Sequence, residues 1–200
     1  MFFKKENSSF SEPISIIICT KNEAENLTEF LPKILEQQYP NFEVILVDDQ
    51  SKDNTEYVLK EFKRKYLNLK VVKIEDHVNS RVGKKFALTL GIKAAKYEYL
   101  LLTDADCVPA SEHWLNEMAS NFSSEKQIVL GYGAFKKEKG LLNKMIRFDA
   151  FSVALQYFSY ALAGMPYMGV GRNLAYKKSV FFDNKGFASH LHLPSGDDDL

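Results

Sequence analysis

Cysteine is scarce: 200 residues hold two, Cys19 and Cys107. Both adjoin apolar, strand-like runs, and no metal-type spacing links them. A disulfide framework is not indicated, and a reduced, cytoplasmic chain is expected. Neither sign of charge is in excess, since 26 Lys and Arg face 26 Asp and Glu. The whole chain therefore offers no field that draws nucleic acid, and no nucleic-acid partner is expected. No secretory signal is visible, because "MFFKKENSSFSEP" has no long apolar core after its lysines. No run reaches the roughly 20 uninterrupted apolar residues of a spanning helix. The nearest, Leu141 to Ala163, is broken by Asn143, Lys144, Arg147, Asp149 and Gln156. Glycine is missing where a phosphate loop would need it: "CTKNEAEN" follows the first apolar run without one. That counts against nicotinamide-dinucleotide chemistry and against a nucleotidyltransferase. Internal repeats and a Ser-His-Asp pattern are also missing.

What is present alternates. Ile14 to Cys19 is a β-branched run and reads as a strand. Asn22 offers a helix N-cap, and Leu27, Phe30, Leu31, Ile34 and Leu35 recur at helical spacing. Pro32 inside that pattern is expected to kink or restart the helix. Phe42 to Val47 is a second strand. Val58, Leu59 and Phe62 mark the helix after it, and Leu69 to Ile74 a third strand. Lys84 to Lys96 reads as a helix with Ala87, Leu88, Gly91, Ile92 and Ala95 on one side. Tyr97 to Thr103 is a fourth strand. This rhythm predicts an α/β fold, a mainly parallel sheet with helices on both faces. Beyond Asp106, Ser111 is expected to cap a helix carrying Trp114, Leu115 and Met118. Gln127 to Phe135 reads as a strand, Gly140 to Ala163 as a long helix, and "LAYKKSVFF" as strand-like.

Ligands of such sheets sit beyond the carboxyl ends of the strands. Three of those ends are polar: Thr20-Lys21-Asn22-Glu23, Asp48-Asp49 and Asp104-Ala105-Asp106. On an extended chain residues two apart point the same way. Two carboxylates so placed repel unless something positive joins them, and Mg²⁺ or Mn²⁺ does so with a substrate diphosphate. The bland alternative is a solvated strand end. Asp48-Asp49 opens "DDQSKDNT", which also reads as a turn and cap; one of the pair is placed to accept from a ribose hydroxyl or a base N–H. Lys84 and Lys85, with Arg81 before them, start a helix where a diphosphate is favoured. The tail "SGDDDL" holds Asp197, Asp198 and Asp199 after His190 and His192. A carboxylate there suits a general base, whereas lone loop histidines are more often neither ligand nor catalyst. In "GVGRN", Gly169 and Gly171 allow close approach or positive φ. Arg172 and Asn173 then either reach the acceptor or diphosphate, or simply form a tight turn.

Taken in order, "SIIICTKNEAENL", "FEVILVDDQSKDNT", "GKKFALTLGIKAA", "YLLLTDADCVP", "GVGRNLAYKKSVF" and "SGDDDL" resemble family 2 glycosyltransferases over about residues 11–200. The resemblance implies a single GT-A domain spanning 1–200, Rossmann-like. Residues 11–108 would form the nucleotide-sugar half and 109–200 the acceptor half. It implies inverting transfer from a nucleoside-diphosphate sugar, UDP being the family's commonest choice, to a glycan or lipid-linked acceptor. By the same analogy Thr20, Asn22 and Glu23 lie in the first nucleoside loop. Asp49, with Asp48, faces base or ribose, and Lys84 meets the diphosphate. Asp104 and Asp106 match the Asp-x-Asp metal site, with Asp106 the direct ligand. Asp198 is the base and Asp197 its neighbour. The Gln-x-x-Arg-Trp motif of processive members and their membrane helices do not occur before Leu200. A soluble piece of a longer, membrane-attached enzyme at the cytoplasmic face is therefore expected. The rival readings are a metal-dependent sugar nucleotidyltransferase and an inactive binding module. Gly140 to Ala163 is read either as a helix packed between core and acceptor loop or as an interfacial helix.

Overall fold

The structure, a computed structural model, describes residues 10–75 and 83–188. Strand β1 (Ile14–Thr20) is followed by α1 (Ala24–Leu35), β2 (Phe42–Asp48), α2 (Thr55–Lys65) and β3 (Leu69–Lys73). Then come α3 (Lys84–Ala94), β4 (Tyr99–Asp104), α4 (Trp114–Ala119), β5 (Ile128–Leu130) and α5 (Leu141–Leu162). A 3₁₀ turn (Gly171–Asn173), β6 (Leu174–Lys177) and α6 (Lys178–Asp183) close the series. One six-stranded sheet has the order β3-β2-β1-β4-β6-β5. The pairs β1–β2, β1–β4 and β2–β3 are parallel, and β6 runs antiparallel to β4 and β5. The chain thus winds outward from β1 to β3, then crosses back to lay β4 on β1's other side. That reversal opens a crevice between the carboxyl ends of β1 and β4.

Both faces are covered, which is why β1 and β2 read as unbroken apolar runs. Ile16 and Ile18 pack with Leu46, Leu101, Leu27, Leu31 and Leu115 under α1, α2 and α4. Their neighbours Ile17, Ile45, Val47, Leu100 and Leu102 point the other way, onto Ala87, Leu88 and Ile92 of α3. At Gly91 the helix comes close: a Cβ there would lie 2.7 Å from the Ile17 side chain.

Three expectations about local structure are corrected. Pro32 does not restart α1, which runs through it as one helix. A mid-helix proline costs about 3 kcal/mol, but four buried aliphatics, Leu27, Leu31, Ile34 and Leu35, return about 1.5–3 kcal/mol each. The strand expected over Gln127 to Phe135 is only Ile128–Leu130; beyond it Tyr157 and Arg172 side chains take the carbonyls of Gly131 and Gly133. "LAYKKSVFF" divides into β6 and α6, with Lys178 at the junction: its N–H donates to the Glu98 carbonyl and its ammonium to that of Ala95.

Candidate active site

The carboxyl edge is built by strand register. Thr20 lies opposite Asp48, and Cys19 opposite Asp104. The loops leaving β1 and β2 are stitched together by side chains that accept backbone N–H groups. Ser51 Oγ accepts from Asn22, Thr55 Oγ1 from Glu23, and Asp53 Oδ2 from Ala24. In return Asn22 Oδ1 accepts from Lys52 at 2.7 Å. Asn22 is therefore not the cap of α1. It sits at φ 58°, a left-handed conformation that asparagine tolerates, and the first N–H of the helix is capped by Asp53 from the loop between β2 and α2.

The same stitching separates the two neighbouring acids. Asp48 Oδ1 accepts the Ser51 N–H at 3.1 Å and belongs to the turn. Asp49 is buried, its Oδ2 lies 3.6 Å from Lys21 Nζ, and its Oδ1 has no hydrogen-bond partner among the described residues. Thr20 Oγ1, also buried, has none either. Unmet polar atoms of this kind cost about 1–3 kcal/mol each, so each of the two would gain by acquiring a partner.

Across the crevice Asp104 ends β4. Its Oδ1 is 3.0 Å from Lys84 Nζ, at the first turn of α3. The chain turns immediately, with the Cys107 N–H donating to the Asp104 carbonyl. This turn, rather than an extended run, brings Asp106 round. One ligand atom each of Asp104, Asp106 and Cys107 lies within 4.8 Å of the others. Burial, then the Asp106 and Asp104 carboxylates, push the Cys107 thiol up to about 11. The two carboxylates are hard oxygen donors, and such a set suits a hard divalent cation. Lys85, next to Lys84, is buried instead, its ammonium 5.9 Å from the Phe187 ring centre.

The sequence profile of glycosyl transferase family 2 matches residues 15–182. The chain belongs to this family.

Its relatives agree. The family 2 chain is 35% identical over 96 residues to "Glycosyltransferase GlyG" of Streptococcus pneumoniae. It is 40% identical over 97 residues to a poly-β-1,6-N-acetyl-D-glucosamine synthase of Staphylococcus epidermidis. Each match covers 48% of this chain, and 31% and 22% of the relatives' lengths. Among solved structures, a Pyrobaculum calidifontis mannosyltransferase in complex with GDP-Man and Mn²⁺ superposes with a TM-score of 0.70. That match has 23% identity and covers 96% of this chain and 50% of the other. TarS of S. aureus in complex with UDP-GlcNAc superposes at 0.62 with 21% identity, over 86% of this chain and 47% of the other. These likenesses show the fold, GT-A.

The second half of this family 2 chain supplies a neighbouring cavity of about 130 Å³. Tyr132, Phe135, Asp149, Tyr157 and Arg172 line it. Arg172 lies over the Phe135 ring at 4.8 Å, and its Nε donates to the Gly133 carbonyl. Asn173 turns inward: its Oδ1 accepts from Trp114 Nε1 and its Nδ2 donates to the Tyr132 carbonyl. Gly169 provides close approach, since a Cβ there would meet Leu174 at 2.9 Å. Arg81, His190, His192, Asp197, Asp198 and Asp199 lie outside the described residues. Sequence reasoning missed Ser51, Asp53 and Thr55 as the residues that seat α1. The Asp-x-Thr spacing before α2 is the signal that could have found them.

Proposed function

We propose that this family 2 chain transfers a sugar, with inversion, from a UDP-linked donor to a hydroxyl of a glycan or lipid-linked acceptor. The setting would be cell-surface polysaccharide or glycolipid synthesis at the cytoplasmic face of a membrane. The observation that carries this reading is the pair of buried oxygens without a partner among the described residues, Asp49 Oδ1 and Thr20 Oγ1, on the same carboxyl edge of the sheet as the Asp104–Asp106 cluster. Support also comes from the UDP-GlcNAc complex of TarS and the poly-N-acetylglucosamine product named for the staphylococcal relative.

In this reading Asp49 and Thr20 accept and donate to the nucleoside. Asp104 and Asp106 hold Mg²⁺ or Mn²⁺, which when bound neutralises charge on the leaving diphosphate. Lys84, now on Asp104, adds a cation at the first turn of α3 and stabilises the same charge. Asp198, flanked by Asp197, takes the proton of the acceptor hydroxyl. Arg172 and the aromatic cavity beside it position the acceptor, with Asn173 fixing the turn that presents Arg172. A single displacement then needs no covalent nucleophile. A thermal-shift screen of UDP-, GDP- and dTDP-sugars with and without Mn²⁺ tests the donor half, because a ligand of the native state raises its apparent stability. The expected result is a shift with one nucleotide that grows with Mn²⁺. No shift with any of them would overturn the reading, and binding without transfer would leave an inactive module.

A further inference from the structure

Helix α5 presents most of its surface to solvent. Of its 22 residues only Ala154 and Tyr157 are buried. At about 100° per residue, Leu141, Met145, Phe148, Phe151, Leu155 and Leu162 fall on one side, opposite those two. All six are exposed, Leu141 at 74% and Phe148 at 72%. The same spacing leaves Lys144 as the one charged residue of that outward side. Asp149 turns toward the cavity under the helix. Ser152, Ser159 and Lys144 interrupt the ridge, and Leu142, Ile146 and Tyr160 are exposed on other sides of the helix. Among the described residues nothing covers these side chains, and exposed apolar surface of this extent marks an interaction surface.

The charge around it indicates what the surface meets. Residues 136–149 hold Lys136, Lys137, Lys139, Lys144 and Arg147 against Glu138 and Asp149, an excess of three positive charges in a chain that is neutral overall. The three lysines before α5 are tied to its first turn. Asn143 Oδ1 accepts the Glu138 N–H, and its Nδ2 donates to the Lys136 carbonyl. Lys136, Lys137, Lys139 and Lys144 are exposed at the N-terminal end of the ridge. No described helix is long and apolar enough to cross a membrane, so the helix fits lying in an interface rather than spanning it. We propose that α5 docks this protein on an anionic lipid surface, its ridge among the acyl chains and its basic end at the headgroups. Paired copies of α5 in parallel would set these basic ends against each other, whereas anionic headgroups neutralise them. The inference deepens the membrane-face setting proposed above and does not depend on the transfer chemistry.

Co-sedimentation with vesicles tests it, comparing phosphatidylcholine alone with phosphatidylcholine plus phosphatidylglycerol. Binding is expected to the anionic vesicles and to fall with added salt. Replacing Lys136, Lys137 and Lys139 with Gln is expected to weaken it about a hundredfold, as about 1 kcal/mol per lysine implies. Phe148→Asp is expected to abolish it, with an unchanged melting temperature reporting an intact fold. In a Phe148→Trp variant the new fluorophore should be quenched by brominated lipid. Absence of vesicle binding, binding that Phe148→Asp leaves intact, or a solution dimer that Phe148→Asp dissolves without any lipid binding would each overturn the proposal. Donor-nucleotide shifts measured on the same preparations separate its failure from failure of the transferase reading.

Discussion

At the scale of single residues, two identical side chains side by side do different work. Asp48 satisfies the Ser51 N–H, while Asp49 keeps a buried oxygen without a partner among the described residues. Replacing them should move stability and binding in opposite patterns. Asp48→Ala removes a turn hydrogen bond and is expected to lower stability by about 1 kcal/mol. Asp49→Ala removes an unmet oxygen together with an ion pair to the exposed Lys21 that is worth little, so the melting temperature should hold or rise while nucleotide affinity falls about ten- to a hundredfold, the worth of a hydrogen bond to a charged group. Calorimetric titration of UDP beside thermal melts of both variants checks this; a destabilised Asp49→Ala with full affinity would reverse the assignment. The sequence placed both acids at the strand end but could not divide them, because the division depends on a serine three residues on and on which oxygen reaches it.

At the scale of elements, helices were legible wherever their own periodicity dictated them, and caps were not. The reading of Asn22 as the cap of α1 failed because the accepting oxygen comes from another loop, that of Asp53. Burial pushes the Asp53 carboxyl up, but hydrogen bonds from Thr55 and Ala24 outweigh this and hold it below the ordinary range. A depressed carboxyl stabilises the fold above its unfolded value, near 3.8, and that share is lost as pH falls through the lower folded value. Asp53→Ala is expected to cost about 0.5–1 kcal/mol at neutral pH. The gap between its melting temperature and wild type should close in acid. A gap constant down to pH 2 would remove Asp53 from this role. Gly91 was legible as a core-side residue of α3, yet only the packing shows how near β1 lies. Gly91→Ala gains up to about 1 kcal/mol of helix propensity but crowds Ile17, which costs about 1–3 kcal/mol. A net loss is expected in urea denaturation, with the slope unchanged.

At the scale of the whole molecule, the parallel half of the sheet could be read from alternating apolar runs, because buried parallel strands leave no other pattern. The antiparallel return of β6 could not. It rests on contacts between distant segments, such as Thr103 with the Arg172 carbonyl and Trp114 with Asn173, and no local period announces them. The convergence of three strand ends on one crevice followed from topology alone, whereas the turn that brings Asp106 beside Asp104 did not. The claim on which the rest depends is that these ends hold a cation and a nucleoside diphosphate together. Titration of free Mn²⁺ by electron paramagnetic resonance, with and without UDP, tests it most directly. UDP is expected to draw Mn²⁺ onto the wild-type protein and onto Asp198→Asn, but not onto Asp106→Asn. Equal UDP-dependent uptake of Mn²⁺ by Asp106→Asn and wild type would contradict it.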